Sequence, residues 1–203
     1  MNYYVGLDLS YTGTGLFIID ECGKVVVERE IASDACQFVN DIQRSDWIAH
    51  EIVNTLKDYT VSMIVVEDYF SGGSNSQVGL RLAVLGSIVR LRLLQNGHSF
   101  ITIANSQNKK FVTGSGSSNK DQIQMFVLKK YNIVSLSNNT ADACGMAHVA
   151  KAYHQFTSGL ATKDSFVKYE WEVIKKMTKD SVITTPYTLE GIEPKKIKKK
   201  KSL

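Results

Sequence analysis

The first thirty residues contain short apolar segments separated by polar turns, a pattern that predicts three strands in succession. Residues 3–8 (YYVGLD) alternate with a period of two, which is typical of a strand. Residues 15–19 (GLFII) and 24–27 (KVVV) form two further apolar runs, and residues 21–23 (ECG) provide the turn between them. The pattern therefore predicts a meander of three strands.

The next segment predicts an amphipathic helix followed by a buried strand. Apolar residues recur at helical spacing over residues 38–56, so one face of this helix should pack on the sheet. Residues 63–66 (MIVV) are a continuous apolar run, as expected for a central strand that is buried on both faces. The run ends at Glu67, which places an acidic side chain at the end of a strand.

The middle of the chain predicts a long apolar helix and then another strand. Residues 71–76 (SGGSNS) form a loop that is flexible by composition, and they lead into a helix over residues 78–94. This helix is hydrophobic over more than one stripe, so it should contact the sheet and a second surface, such as another subunit. Residues 99–103 (SFITI) predict a further strand.

Three more helices are predicted towards the C-terminus. Residues 121–131 have a helical pattern, and residues 114–118 (GSGSS) offer capping groups before them. Small side chains dominate residues 140–156, so this helix can lie unusually close to the sheet. Residues 166–176 predict a last helix, which precedes a polar tail that ends in lysines.

The order of these elements predicts one α/β domain with an extension. Three strands, a helix and then alternating strands and helices indicate a mixed sheet that begins with a meander. This order matches the ribonuclease H-like fold, a mixed five-stranded sheet flanked by helices. We expect the domain to span residues 1–157 and a C-terminal helical and basic extension to span residues 158–203.

The composition is that of one globular domain. The chain has 203 residues, of which 43% are hydrophobic and 22% are charged, enough for a substantial core. Cys22, Cys36 and Cys144 are odd in number and include no Cys-x-x-Cys pair, so we expect buried thiols rather than disulfides or a zinc site. Because no basic leader or run of about 18 apolar residues occurs, we expect a soluble, cytoplasmic protein.

The net charge of +4 comes from the tail. Six of the 24 basic side chains are the lysines between Lys195 and Lys201, and the rest of the chain has 18 basic residues against 20 acidic ones. Outside the tail, the chain therefore has no excess of positive charge. To bind nucleic acid, this part of the chain would need local lysine patches and metal ions that offset its acidic groups.

Three carboxylates occupy positions that regular structure can bring together. Asp8 ends the first strand, Glu67 ends the central strand, and Asp142 lies early in the small-residue helix. Clustered acids repel one another unless a cation is present, and hard oxygen ligands suit Mg²⁺ or Mn²⁺. The alternative is that Asp8 caps a turn while the other two acids pair with lysines.

Four motifs resemble those of the RuvC-type Holliday junction resolvases and follow one another in the same order as in that family. The first is a strand that delivers an aspartate, the second an acid at a strand end with an aromatic residue three positions later. The third is a Gly-x-Gly segment before Lys-x-Gln-hydrophobic-Gln, and the fourth an Ala-Asp-Ala helix. The motifs are residues 6–10 (GLDLS), 65–70 (VVEDYF), 112–124 (VTGSGSSNKDQIQ) and 141–147 (ADACGMA).

The resemblance implies roles for individual residues. Asp8, Glu67 and Asp142 would be metal ligands, and two Mg²⁺ ions per site, or Mn²⁺ in their place, would catalyse phosphodiester hydrolysis. Phe70 would stack at the opened centre of the junction. The DNA phosphates would be contacted by Lys109 and Lys120.

One position departs from the family pattern. The family usually has a fourth ligand, Asp or His, three residues before the last aspartate, and this sequence has Asn139 there. Three residues keep Asn139 and Asp142 on one helix face. An amide oxygen can ligate Mg²⁺ but adds no charge, so the second metal ion would bind more loosely. The alternative fourth ligand is His148, which lies about 120° round the helix from Asp142.

The resemblance implies a homodimeric, Mg²⁺-dependent endonuclease that cuts branched DNA, chiefly four-way junctions, and suggests a phage-encoded member of the family. The lysine tail would add salt-sensitive affinity for DNA. Two other classes of protein share features with this sequence. Sugar-kinase and actin-like phosphotransferases share an Asp- and Gly-rich first turn but need two such domains. A catalytically weak or inactive DNA-binding scaffold of the same fold is the other alternative, and Asn139 is the residue that raises it.

Overall fold

The computed structural model describes residues 1–68, 77–180 and 183–186. Its centre is a mixed five-stranded sheet with the strand order β3-β2-β1-β4-β5. The first three strands pair antiparallel, while β4 and β5 run parallel to β1. The strands are β1 (Tyr3–Asp8), β2 (Thr14–Asp20), β3 (Val25–Ile31), β4 (Val61–Glu67) and β5 (Phe100–Ile103). The predicted meander and the predicted central position of the 63–66 strand are both confirmed.

Helices cover both faces of the sheet. One face packs against α1 and α2 through a core that includes Leu7, Ile52 and Leu85. The other face packs against α5, with α3, α4 and α6 outside it, through a core that includes Tyr4 and Ala147. The helices are α1 (Asp41–Leu56), α2 (Gln77–Gln95), α3 (Asn105–Thr113), α4 (Lys120–Tyr131), α5 (Asn138–Thr157) and α6 (Lys168–Asp180).

Two features differ from the sequence prediction. The helix expected from residue 38 begins at Asp41, because the Asn40 side chain accepts a hydrogen bond from the Gln43 amide and caps it there. Helix α3 was not predicted at all. Its sequence is mostly polar and only Asn108, Phe111 and Val112 are buried, so it lacks a continuous apolar stripe.

Side-chain caps fix the start of the two helices that approach the acidic residues. Asn119 accepts a hydrogen bond from the Gln122 amide, and the Gln122 side chain accepts one from the Asn119 amide, which completes a capping box at α4. Ser137 accepts a hydrogen bond from the Thr140 amide and caps α5. Helix α5 therefore begins directly before Asn139.

The C-terminal helix α6 packs on α3 and α5. Val173, Ile174 and Met177 of α6 are buried in the same core as α5. Two ion pairs, Lys110 with Glu172 and Lys130 with Glu170, connect α6 to α3 and α4. The boundary at residues 157 and 158 remains a prediction, and the lysines between residues 195 and 201 lie outside the described residues.

The cysteines correct one expectation. Cys144 is buried, but Cys22 and Cys36 are exposed, because they lie in the β2–β3 turn and in a short 3-10 helix before α1. None of the helices in residues 1–68 and 77–180 is long and apolar enough to cross a membrane.

Candidate active site

The parallel pairing of β1 with β4 places two acids side by side. Leu7 is aligned with Val66, so Asp8 and Glu67 follow at the same level of the sheet. Residues two positions earlier face α5, because Val65 belongs to the core beneath that helix. Since side chains alternate along a strand, Asp8 and Glu67 point to the α5 side as well.

Two glycines allow α5 to lie directly on the sheet beside these acids. A Cβ atom on Gly6 would clash with the carbonyl oxygen of Ala143, and one on Gly15 would clash with that of Asn139. Gly15 is also the strand partner of Asp8. The first turns of α5 therefore lie over the end of β1, which brings Asp142 to Asp8.

The charges of this cluster influence one another. Asp142 is only 8% exposed. Burial, followed by the charge of Glu67, raises the pKa of Asp142 from 3.8 to about 6, whereas Lys109 and Lys120 oppose the increase. Burial also raises the pKa of Asp8 well above its usual range, and a hydrogen bond with the Glu67 carboxyl group adds to the effect. The structure thus brings together the three acids and the two lysines that the sequence singled out.

The donor set suits a divalent cation. The Asp142 Oδ1 atom is buried and has no hydrogen-bond partner within the described part of the chain. A buried carboxylate oxygen without a partner is costly, and a cation would satisfy it. In residues 1–68, 77–180 and 183–186, no three His, Cys, Asp or Glu side chains already stand close enough to hold an ion. Coordination by Asp8, Glu67 and Asp142 would therefore require their side chains to turn towards a common point.

Polar residues that the sequence analysis did not single out hold the acids in place. Asn105 Nδ2 donates a hydrogen bond to Glu67 Oε1 at 2.6 Å. Arg90 donates one to the Glu67 carbonyl oxygen at 3.0 Å, and buried Asn108 donates one to the Asp142 carbonyl oxygen at 3.0 Å. The two asparagines follow β5, whose end lies at the same sheet edge as that of β4, and this was the signal that could have identified them.

The two candidates for a fourth ligand lie in different places. Asn139 is half-buried, and its Nδ2 donates a hydrogen bond to Glu30 Oε1 at 3.3 Å. His148 instead stacks on Tyr131, with ring centroids 3.6 Å apart. Burial and the nearby charges of two lysines lower the pKa of His148 to about 3. His148 therefore packs against α4 and not with the acids.

The DNA-contacting candidates are placed only in part. Lys109 is half-buried on α3 and Lys120 is exposed at the start of α4, and both influence the pKa of Asp142. Phe70 lies outside the described residues.

Comparison with known proteins identifies the family. A family model described as crossover junction endodeoxyribonuclease RuvC matches residues 4–150. The chain belongs to the RuvC family. A curated RuvC from Ehrlichia canis (strain Jake), described as a crossover junction endodeoxyribonuclease, is 25% identical over 131 residues, which cover 64% of this chain and 82% of the relative. All four sequence motifs lie within the residues that the family model matches.

Solved RuvC structures share the fold. The structure of Thermus thermophilus RuvC has a TM-score of 0.63 at 17% identity, covering 77% of this chain and 96% of its own. T. thermophilus RuvC in complex with Holliday junction substrate also has a TM-score of 0.63, at 14% identity. The match covers 80% of this chain and 99% of the T. thermophilus chain. The expected ribonuclease H-like architecture is confirmed, and the chain is a member of a nuclease family.

Proposed function

We propose that this protein is a structure-selective endonuclease that resolves Holliday junctions by metal-dependent phosphodiester hydrolysis. The observation that supports it best is the meeting of Asp8, Glu67 and Asp142 at one sheet edge in a member of the RuvC family. The T. thermophilus relative was solved in complex with a Holliday junction substrate, which supports branched DNA as the ligand.

The proposed metal ligands are Asp8, Glu67, Asp142 and Asn139. Bound Mg²⁺ or Mn²⁺ ions, two per site, would supply Lewis acidity to activate water and to stabilise charge on the departing oxygen. The chain keeps the ligands in position through the hydrogen bonds of Asn105 and Asn108. Such supporting contacts orient ligands and commonly affect metal affinity strongly.

The proposed role of the lysines is to bind and orient the DNA backbone. Lys109 and Lys120 lie near the acids, so a phosphate between them would be held beside the reacting centre. Lys120 would offset the negative charge that develops on the phosphoryl oxygens during attack. Phe70 is proposed to stack on an unpaired base at the junction centre.

Cutting two strands symmetrically requires two sites, which supports a homodimer. Helix α2 supplies the proposed interface, because one side of it packs on the sheet while several large apolar side chains stay exposed. Leu80, Val84 and Leu91 lie on one face of the helix, and Val78 is exposed in its first turn. An exposed apolar face of this kind is typical of a protein interface.

The alternative is a junction-binding scaffold with little or no cleavage. The uncharged Asn139, whose amide donates to Glu30, is the observation that favours it. Clustered, buried acids argue against it, because a scaffold would incur their repulsion without benefit.

Incubation of the protein with a labelled four-way junction and with linear duplex of the same sequence tests the proposal. Reactions contain Mg²⁺, Mn²⁺ or EDTA. We expect paired nicks in the junction only when a divalent ion is present. Tight junction binding without a cut under any of these conditions would support the scaffold instead.

A further inference from the structure

One acidic residue of β3 lies in line with the site but belongs to none of the motifs. In the sheet, Asp8 is paired with Gly15, and Gly15 is paired with Glu30. Directly paired residues point to the same face, so Glu30 faces α5 as Asp8 does. Because Gly15 has no side chain, the backbone of α5 at Asn139 can lie directly over the strand position between the two acids.

Glu30 contacts the candidate ligand whose charge is missing. Asn139 Nδ2 donates to Glu30 Oε1 at 3.3 Å. Gly13 makes room for the contact, because a Cβ atom there would clash with Glu30 Oε1 and lie 2.9 Å from Asn139 Nδ2. Gly13, just before β2, and Gly15, near the start of β2, thus leave space for a hydrogen bond between β3 and α5.

The hydrogen bond decides how the amide can act. A side-chain amide ligates a cation only through its oxygen, so its NH₂ group must be held away from the cation. A carboxylate only accepts hydrogen bonds, and therefore Glu30 selects the orientation in which Nδ2 faces β3. The carboxylate also places negative charge beside the amide.

We propose that Glu30 is a positioning residue that holds the Asn139 side chain in the orientation in which its amide oxygen can ligate a metal ion. This role rests on the proposed metal-dependent function. Glu30 acts through Asn139, in the way that hydrogen-bonded partners orient ligands in other metal sites. An alternative role is structural, in which Glu30 merely attaches β3 to the start of α5 and stabilises that helix end.

Neighbouring Glu28 provides a matched control. It lies two residues away on the same strand, and its Oε1 accepts a hydrogen bond from the Leu136 amide at 2.7 Å, just before α5. A Glu28→Ala variant thus loses a carboxylate contact to the same region without touching Asn139.

Isothermal titration calorimetry of the full-length protein with Mn²⁺ tests the role of Glu30. It is done without DNA and therefore does not rely on cleavage. We expect Glu30→Ala and Asn139→Ala each to weaken Mn²⁺ binding about 10-fold. The double variant should be no weaker than Asn139→Ala, and Glu28→Ala should bind as the wild type does. Asn139→Asp should restore binding to Glu30→Ala, since it places a carboxylate at the ligand position itself.

Wild-type affinity in Glu30→Ala, or a failure of Asn139→Asp to restore it, would overturn the positioning role. A lowered melting temperature with unchanged Mn²⁺ affinity would identify a purely structural contact and would overturn it too. A wild-type protein that binds no Mn²⁺ would instead refute the metal-dependent function, and this role with it.

Discussion

At the scale of single residues, the buried carboxyl group of Asp142 lowers the stability of the fold at neutral pH. Asp142 is almost fully buried, and its Oδ1 has no hydrogen-bond partner among the described residues. Its pKa is raised to about 6 by burial and by Glu67. The folded chain therefore keeps a proton on Asp142 up to about pH 6, whereas the unfolded chain releases it near pH 4. Stability conferred by this residue is lost as the pH rises from about 4 to about 6.

We predict that Asp142→Asn stabilises the protein when metal is withheld. At pH 7 the substitution removes a buried charge, and the expected gain in the free energy of unfolding is roughly 1–3 kcal/mol. The measurement is urea denaturation in EDTA at pH 7 and at pH 4. The gain should shrink at pH 4, and an equal gain at both values would show that charge is not the cause.

The acids were predicted from the sequence, whereas their supporting residues were not. Glu67 and Asp8 each end an apolar strand, and the sheet order aligns such ends. Glu30 has no comparable signal, because its alignment with Asp8 depends on the register of two strand pairs and on the absence of a side chain at Gly15. Asn105 and Asn108 were not predicted because α3, the helix that carries them, is mostly polar and has no apolar stripe that indicates a helix.

At the scale of elements, the closeness of α5 to β1 determines where Asp142 lies. Gly6 faces the backbone of α5 at Ala143 and Ala147. The abundance of small residues in α5 predicted this close approach, and the structure confirms it. The close contact itself depends on Gly6 in β1 and Gly15 in β2, which leave room for the helix backbone. The periodic pattern of apolar residues does not indicate this role of the glycines.

We predict that Gly6→Ala separates α5 from β1 and weakens both the fold and the site. The added methyl group meets backbone atoms that cannot rotate away, so the cost should be about 3 kcal/mol or more. Thermal unfolding should show a melting temperature lower by roughly 6–12 °C. The control is Gly97→Asn, because that glycine has open space around it and a left-handed backbone that Asn tolerates. Equal melting temperatures for Gly6→Ala and the wild type would contradict the packing account.

At the scale of the whole molecule, the RuvC-type domain is followed by a C-terminal extension that contains helix α6 and a lysine-rich tail. The family match ends at residue 150, whereas α6 packs against α3 and α5. We propose a domain boundary at residues 157 and 158, with α6 as a helix that stabilises the domain and residues 187–203 as a basic tail.

We predict that the two pieces of the extension have separable effects. A chain that ends at residue 157 loses the burial of Val173, Ile174 and Met177. Burial of each such side chain contributes about 1.5–3 kcal/mol, so this truncation should unfold at much lower urea concentration. A chain that ends at residue 186 keeps α6 and should unfold like the full-length protein. Identical unfolding of all three chains would show that α6 contributes nothing to the domain.

The basic tail should act on DNA affinity alone. Replacing its six lysines with glutamine should weaken junction binding and make it less dependent on salt, because fewer counterions are released. The measurement is junction binding by fluorescence anisotropy at salt concentrations between roughly 50 and 200 mM, a range over which such effects are large. An unchanged salt slope would mean that the tail does not contact DNA.

We propose that Asp8 belongs to a metal-dependent centre that cuts branched DNA. The most direct test compares the wild type, Asp8→Asn and Asp68→Asn on one labelled four-way junction, with binding and cleavage measured in the same Mg²⁺ buffer. Asp68 is the matched control, since it neighbours Glu67 but pairs with Arg90. We predict that Asp8→Asn binds the junction and does not cut it, while Asp68→Asn does both. Cleavage by Asp8→Asn at the wild-type rate would contradict the account.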